Sequence, residues 1–289
     1  MTLGNLEKPV LLVGGYGKTG RRVAERLEAQ GVLVRVGSRS SEPAFDWNDR
    51  ATWAAALKGA RAAYITYYPD LSVPGAAAAV AAFTEAALDA GVRRLVLLSG
   101  RGEEEAEKAE QALKASGADW TVVRCAWFNQ NFSENFLLDP ILAGVVALPV
   151  DGVREPFVDA DDIADVVAAA LTEDGHAGKL HELTGPRLLT FGEAIAEIAA
   201  ATGRKIRLEQ ISAGEFSNLL VAEGVPDSLV ELIMVLFTQL LDGRNQSLAG
   251  GVAEALGRPP RDFADFARDA AETGIWTPRR TRRAVGGVR

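Results

Sequence analysis

A glycine-rich turn between an apolar strand and an amphipathic helix is the feature that most constrains the fold of this chain. Residues 10–13 are all apolar, an amphipathic segment covers 21–30, and glycines recur between them. Glycine permits a sharp turn close to a phosphate, and the first turn of the helix offers free N–H groups and the positive end of its dipole. This order predicts a dinucleotide pyrophosphate site, with a purely structural turn as the alternative. The expected contacts are Gly14, Gly15, Tyr16, Gly17, Lys18, Thr19 and Gly20.

Apolar strands and helical segments alternate through the first half of the chain. Strands are predicted at 10–13, 32–36, 44–46, 62–66, 95–99 and 120–125, and helices at 21–30, 52–57, 75–90 and 103–115. Strands separated by helices imply right-handed βαβ units. The expected fold class is therefore α/β, a doubly wound and mostly parallel Rossmann sheet with a smaller, mainly helical C-terminal substrate-binding region.

The pattern is looser beyond residue 129. We predict helices at 161–171 and 190–201, strands at 179–183 and 206–210, and a mostly helical stretch over 212–276. This stretch carries no cofactor motif of its own. The expected division is a dinucleotide-binding domain over 1–185, a substrate-binding region over 186–276 and a solvated, arginine-rich tail over 277–289.

Composition and charge exclude several classes of protein. A formal net charge of −8 argues against a nucleic-acid surface, and one cysteine excludes an internal disulfide framework. Two histidines argue against a zinc cluster, and Cys125 in its apolar run is expected to be a buried core thiol. Neither a signal-peptide core nor an apolar run of membrane length is present. We expect a cytoplasmic protein that takes a small-molecule substrate and has no metal, nucleic-acid or membrane partner, with a homodimer left open.

The segment after the second predicted strand indicates which nucleotide is preferred. In a parallel dinucleotide fold this position carries an acidic residue for NAD or an arginine for the 2′-phosphate of NADP. Ser38 and Arg39 stand here, and Arg39 offers a charge-assisted fork while Lys18 adds a positive charge nearby. The expected cofactor is NADPH. Asp46 either accepts from the adenine amino group or caps its own loop.

A set of short motifs runs through nearly the whole chain. They are the glycine turn, Ser-Arg-Ser-Ser at 38–41, Phe-Asp-Trp at 45–47, Gly-Val-Arg-Arg-Leu-Val-Leu-Leu-Ser at 91–99, the run at 122–133, Phe-Val-Asp-Ala-Asp-Asp-Ile-Ala at 157–164, Leu-Thr-Gly-Pro at 183–186 and the run at 257–266. Together these motifs resemble those of the NmrA-like atypical short-chain dehydrogenases, and within them the festuclavine/agroclavine dehydrogenase type. The resemblance implies an NADPH-dependent reductase acting on an iminium. It also implies that Trp127, Phe128 and Asn131 flank the nicotinamide and the substrate, with core packing and a helix cap as the alternative for them.

The usual proton donor of short-chain dehydrogenases is missing. Their machinery is a serine followed by Tyr-x-x-x-Lys, and here Ser99 takes the serine position while Glu104 and Lys108 take the other two. All four tyrosines precede residue 95, so no realignment restores the phenol. Lys108 either contacts the nicotinamide ribose or pairs with its acidic helix neighbours. Carbonyl reduction needs an acid, whereas an iminium needs none, a quinone can take protons from solvent and an enone can use an improvised donor.

The remaining candidates follow predicted strands at the edge where open α/β sheets bind ligands. Thr66, Tyr67 and Tyr68 follow the strand at 62–66, and together with Trp47 and Trp127 they are expected to line the cofactor site. Tyr67 is the nearest improvised proton donor, with aromatic packing as the alternative. Arg124, inside a strand, requires a partner, and we predict an ion pair with a carboxylate of the cluster at 159–162, which otherwise caps a helix.

These patterns predict an NADPH-dependent oxidoreductase that transfers hydride to an imine or iminium, a quinone or an activated C=C bond. The predicted catalytic residues are Ser99, Tyr67 and Lys108, and Ser99 is also expected to contact the cofactor. The alternative is a non-catalytic NADP(H)-binding protein that senses redox state. An open, aromatic-lined cavity at the nicotinamide end distinguishes the two, because only an enzyme requires it.

Overall fold

The computed structural model describes residues 8–278, and its main layer is a six-stranded parallel sheet. The strands lie in the order β2-β1-β3-β4-β5-β8, and every pair in this sheet is parallel. The strand order reverses between β1 and β3, which is where doubly wound sheets bind ligands. The sheet strands are β1 Val10–Val13, β2 Val34–Gly37, β3 Ala62–Ile65, β4 Arg94–Gly100, β5 Asp119–Cys125 and β8 Lys179–Leu183.

Helices cover both faces of this sheet. Phe83 and Leu113 pack on one face, while Val23 and Val167 pack on the other. A run of fully buried strand residues between two helical layers is typical of parallel sheets. The flanking helices are α1 Gly20–Ala29, α2 Trp53–Leu57, α3 Ala76–Asp89, α4 Glu104–Ala115 and α6 Ala160–Thr172. The predicted α/β class, with its doubly wound parallel sheet, is confirmed.

A second hydrophobic core lies beyond the carboxyl edge of the sheet. It contains two small sheets, β6 paired parallel with β10 and β7 paired antiparallel with β9. Phe132 and Phe157 pack in this core against Phe191 and Phe263, so residues before 186 contribute to it as well. Its elements are α5 Leu138–Ala143, β6 Val145–Leu148, β7 Arg154–Glu155, β9 Leu189–Thr190, α7 Phe191–Thr202, β10 Arg207–Gln210, α8 Ala213–Ala222, α9 Asp227–Val235, a π-helical turn Leu236–Leu240 and α11 Phe263–Glu272. The helix α10 Gly251–Leu256 packs instead on α6 and β8, with Val252 in the core of the main sheet.

The strand predicted at 44–46 is not formed. Asp46 instead makes a single bridge to Asp49, and its carboxylate accepts the backbone N–H of Asn48 at 2.9 Å. An aspartate that bonds the backbone two residues ahead stabilises a turn and competes with strand pairing. Phe45 is nevertheless buried, which accounts for the strand-like apolar pattern.

The arginine-rich tail lies outside the described residues from residue 279 onward.

Candidate active site

A cavity of about 570 Å³ lies between the carboxyl edge of the main sheet and the second core. The glycine turn after β1 lines one end, and Leu236, Leu240 and Leu241 line the other. Its volume is that of a typical small-molecule pocket, and its position is the crevice where doubly wound sheets bind ligands.

Several glycine positions in the turn have no room for a side chain. Gly14 has φ of +73°, the left-handed region that glycine adopts without strain. A Cβ on Gly20 would overlap the carbonyl oxygen of Gly14, and a Cβ on Gly15 would lie 2.9 Å from a methyl group of Val36. The hydroxyl of Tyr64 donates to that of buried Thr19 at 2.9 Å and fixes the start of α1. The turn therefore brings the N-terminus of α1 against the cavity.

Lys18 reaches across the cavity wall to a residue far along the chain. Its Nζ donates to Oδ1 of Asn131 at 2.5 Å, and both residues line the cavity. Burial lowers the pKa of Lys18 to about 8, while the Glu134 carboxylate acts in the opposite direction. The structure thus brings together a residue predicted from the glycine turn and one implied by the family resemblance.

Arg39 is available for a ligand at the mouth of the cavity. It is exposed, lines the cavity and makes no hydrogen bond or ion pair with any described residue. Next to it, the hydroxyl of Ser38 lies 3.2 Å from that of Ser40. Asp46 also lines the cavity, and its bond to Asn48 is the loop-capping alternative that the sequence left open.

The segment after β3 forms the aromatic side of the cavity. The hydroxyl of Thr66 donates to the carbonyl of Val13 at 2.8 Å, and the indole of Trp47 donates to the carbonyl of Thr66 at 3.1 Å. The ring of Tyr67 packs on Trp47 with 4.9 Å between centroids, whereas Tyr68 is 73% exposed. The four residues Trp47, Thr66, Tyr67 and Tyr68 were predicted to contact the cofactor, and all four line the cavity.

Two predicted catalytic residues lie on opposite sides of α4. Ser99 lines the cavity at the end of β4, and its hydroxyl donates to Oε1 of Glu110 at 2.7 Å. Lys108 lies on the exposed side of the helix, outside the cavity lining, and pairs with Glu104 at 3.0 Å and Glu105 at 3.2 Å. This is the salt-bridged alternative, so the structure does not support a catalytic Lys108.

The ion pair predicted between Arg124 and the cluster at 159–162 is wrong. Arg124 donates to both oxygens of Glu110, at 2.8 and 2.6 Å. Burial favours the neutral form of Glu110, but the hydrogen bonds from Arg124 and Ser99 outweigh it and lower the pKa. Asp159 caps α6 as the alternative interpretation states, because its carboxylate accepts the N–H of Asp161. The register across β4 and β5 aligns Ser99 with Arg124, which the sequence alone does not give.

Trp127 brings an unpartnered donor into the cavity lining. Its indole N–H is buried without a hydrogen-bond acceptor in the described structure, and its ring packs edge-on against Phe191 and Phe237 at 5.6 and 5.2 Å. Phe128 also lines the cavity.

Cys125, at the end of β5, is buried as predicted, and burial raises the pKa of its thiol well above the usual range.

Three carboxyl groups in the cavity lining, those of Asp70, Glu103 and Glu155, were missed by the sequence reasoning. Glu155 is 2% exposed, and burial raises its pKa to about 7, with Arg101 lowering it and Asp242 raising it. Glu103 lies against Gly100, and burial together with the Asp70 carboxylate holds its pKa well above the usual range. The sequence carries no signal for Glu155 beyond its place before a proline in a short strand.

The residues that the structure describes contain no group of three or more side chains arranged to hold a metal ion. Among the helices of residues 8–278, none is both long enough and apolar enough to cross a membrane.

Comparison with known proteins places these features in a family. A model of an NAD(P)H-binding family matches residues 14–174. The agroclavine dehydrogenase of Claviceps fusiformis is 31% identical over 93% of this chain and 99% of its own. Among solved structures, the NADP(H) complex of the Citrobacter triphenylmethane reductase superposes with a TM-score of 0.73 at 20% identity, covering 91% of this chain and 99% of that one. An NADPH-dependent quinone oxidoreductase of Escherichia coli gives 0.72 at 22% identity, over 90% and 99%.

Proposed function

The chain belongs to the NAD(P)H-binding, NmrA-like family of oxidoreductases, and from this premise we propose that it transfers hydride from NADPH to a small organic electrophile. The observation that carries the proposal is one continuous cavity. It joins the glycine turn to an apolar wall formed by Trp127 and the leucines of the π-helical turn. A non-catalytic sensor requires only the first of these two ends.

The residues present fit a dinucleotide. Gly17, Lys18 and Thr19 line the cavity at the N-terminus of α1, where the free N–H groups and the dipole of the helix suit a pyrophosphate. When bound, the reduced nicotinamide supplies a hydride. We propose that the glycine turn, Thr66 and the aromatic side chains after β3 contact the cofactor, with Ser99 and Tyr67 as contacts at the reacting end.

The choice of NADPH over NADH rests on Arg39. Its guanidinium has no partner among the described residues and lies beside Ser38 at the end of β2. An unpaired arginine here gives a 2′-phosphate a forked, charge-assisted contact, and no carboxylate occupies the position that would favour a ribose hydroxyl.

The chain's own residues position the electrophile and keep water away from it. Trp127 and the leucines of the π-helical turn form an apolar wall, and Lys18 with Asn131 fixes the opposite side. Holding two reactants in contact in a dry pocket supplies much of the acceleration of a hydride transfer. We therefore propose an iminium, a quinone or an activated C=C bond as the electrophile, bound between residues 1–185 and 186–276.

The test is NADPH consumption by the purified chain against a panel of cyclic imines, quinones and enones, with NADH measured alongside. Turnover of at least one class, faster with NADPH than with NADH, is the expected result. Tight NADPH binding without consumption on any acceptor would overturn the proposal and favour the sensing alternative.

A further inference from the structure

The cavity contains a buried carboxyl group that no other residue satisfies. Glu155 lies on β7 with 2% of its surface exposed and lines the cavity. Its Oε1 is buried without a hydrogen-bond partner, and its side chain makes no ion pair with any described residue. A buried polar atom without a partner is costly, so its retention in a ligand cavity points to a ligand.

The cation that acts on Glu155 is Arg101, which makes no hydrogen bond to it in the described structure and directs four of its five N–H groups to other acceptors. Arg101 lies in the same cavity, and its Nε donates to Glu182 at 2.7 Å. One terminal nitrogen donates to the carbonyls of Asn245 and Ser247, and the other donates to the hydroxyl of Ser247 at 2.6 Å. The other charged group that acts on Glu155 is Asp242, a carboxylate that favours the neutral form.

The surroundings of Glu155 therefore favour the protonated carboxyl. A neutral carboxyl group is both a hydrogen-bond donor and an acid, whereas a carboxylate only accepts. Burial of a carboxyl group in an apolar environment is an established way to keep it protonated near neutral pH. The indole N–H of Trp127, also without a partner in the same cavity, is a second donor for an oxygen atom placed there.

We propose that Glu155 is the proton donor of this reductase, taking the place of the missing tyrosine for neutral electrophiles such as enones and quinones. In the step, the acceptor gains a hydride at carbon or oxygen, the displaced π pair moves to an oxygen, and that oxygen takes the Glu155 proton. NADPH is oxidised to NADP⁺, and the Glu155 carboxylate then recovers a proton from water. This inference rests on the proposed function.

The decisive comparison uses two acceptors that differ in their need for a proton. A cationic triarylmethane dye is neutralised by hydride alone, whereas a neutral enone needs a proton as well. Glu155→Gln keeps the shape and removes the acid, so we expect a loss of roughly 100-fold or more in kcat on the neutral acceptor. Turnover of the dye, NADPH affinity and Tm are expected to stay within about twofold or a few degrees of the parent. Glu223→Gln, the same change at an exposed position, is the matched control.

Two readouts separate proton donation from a structural role. With the neutral acceptor, kcat/KM of the parent should fall as the pH rises through about 7, and this limb should vanish in Glu155→Gln. Infrared spectra of the ligand-free protein should show a carboxylic C=O band that titrates over the same range and is absent from the variant.

Three results would overturn the inference. The first is equal loss on both acceptors, and the second is a pH limb that survives in Glu155→Gln. The third is loss of neutral-acceptor reduction in Glu103→Gln or Tyr67→Phe but not in Glu155→Gln, which would assign the proton to another group. If the parent chain reduces only the dye, hydride transfer stands and the proton-donor role fails. If it reduces nothing, the proposed function fails with it.

Discussion

Arg39 is an exposed side chain whose position makes it a candidate ligand contact. Exposed arginines are common, and most are simply solvated. This one follows β2 at the mouth of the cavity and has no partner among residues 8–278. Its role therefore depends on what binds next to it rather than on the fold.

Replacing Arg39 with alanine should change cofactor choice without changing stability. Hydrogen bonds to a charged group contribute roughly 1.5–3 kcal/mol, so Arg39→Ala is expected to weaken NADPH binding by about 10- to 100-fold. NADH, which has no 2′-phosphate, should bind almost as before. Titration calorimetry with both cofactors measures the two constants.

Arg39→Lys is the matched variant, because it retains the charge without the fork and should lie between the parent and alanine. An equal loss for NADPH and NADH in Arg39→Ala would remove Arg39 from the phosphate site.

The residue scale also shows why the site was only partly predictable. The glycine turn was readable because its residue types serve one geometry. The position expected for the tyrosine was one residue away from the cavity: Glu104 points to solvent, and Glu103 enters the site at the start of α4. Sequence spacing gives the face of a helix but not where the helix begins within one residue.

At the scale of elements, a buried ion pair joins α4 to β5 of the main sheet. Glu110 is fully buried on α4 and accepts both hydrogen bonds from Arg124 on β5. Ser99 on β4 and Lys114 on α4 bind the same carboxylate. The arginine in a strand predicted that a partner exists. Which helix supplied it depended on packing that no local pattern encodes.

Removing the arginine should therefore cost much more than removing a surface partner. Arg124→Met leaves the Glu110 carboxylate buried without its main counter-charge, a loss of about 3 kcal/mol in the free energy of unfolding. The loss should shrink at acid pH, since Glu110 then takes up a proton. Urea unfolding at two pH values measures both effects.

The control for this change is Arg93→Met, which breaks the exposed contact between Arg93 and Asp119 at 3.7 Å. It should cost less than about 1 kcal/mol. Similar losses in the two variants would show that the buried pair contributes no more than the surface pair does.

For the whole molecule, the sequence predicted the sheet better than the second core. Long apolar strands and their helices carry a clear period, so the α/β layers were foreseen. The second core is assembled from short elements between Phe132 and Trp276, and its contacts join residues far apart in the chain. The division into 1–185 and 186–276 remains a prediction.

Trp276 closes that second core. It is 1% exposed, and its indole donates to the carbonyl of Phe132 at 2.9 Å. The guanidinium of Arg204 donates to the backbone carbonyl of Trp276 at 2.7 Å. Trp276→Ala should lower the free energy of unfolding by about 3–5 kcal/mol, because a large buried ring is lost along with its hydrogen bond. Thermal unfolding followed by circular dichroism measures this loss.

Trp276→Phe separates the two contributions, since it retains a ring and loses only the indole donor. It should cost about half as much or less. If Trp276→Ala were nearly neutral, residue 276 would not be part of the cooperative unit around Phe132.

The bond between Trp276 and Phe132 also sets an order on synthesis. The ribosome makes Phe132 long before Trp276, so the aromatic residues around Phe132 must wait, uncovered, while 144 further residues are added. The parallel sheet has no such delay up to β5. During translation the nascent chain therefore presents a nearly complete sheet beside an unfinished apolar core, and exposed apolar surface of this kind makes a folding intermediate prone to aggregation.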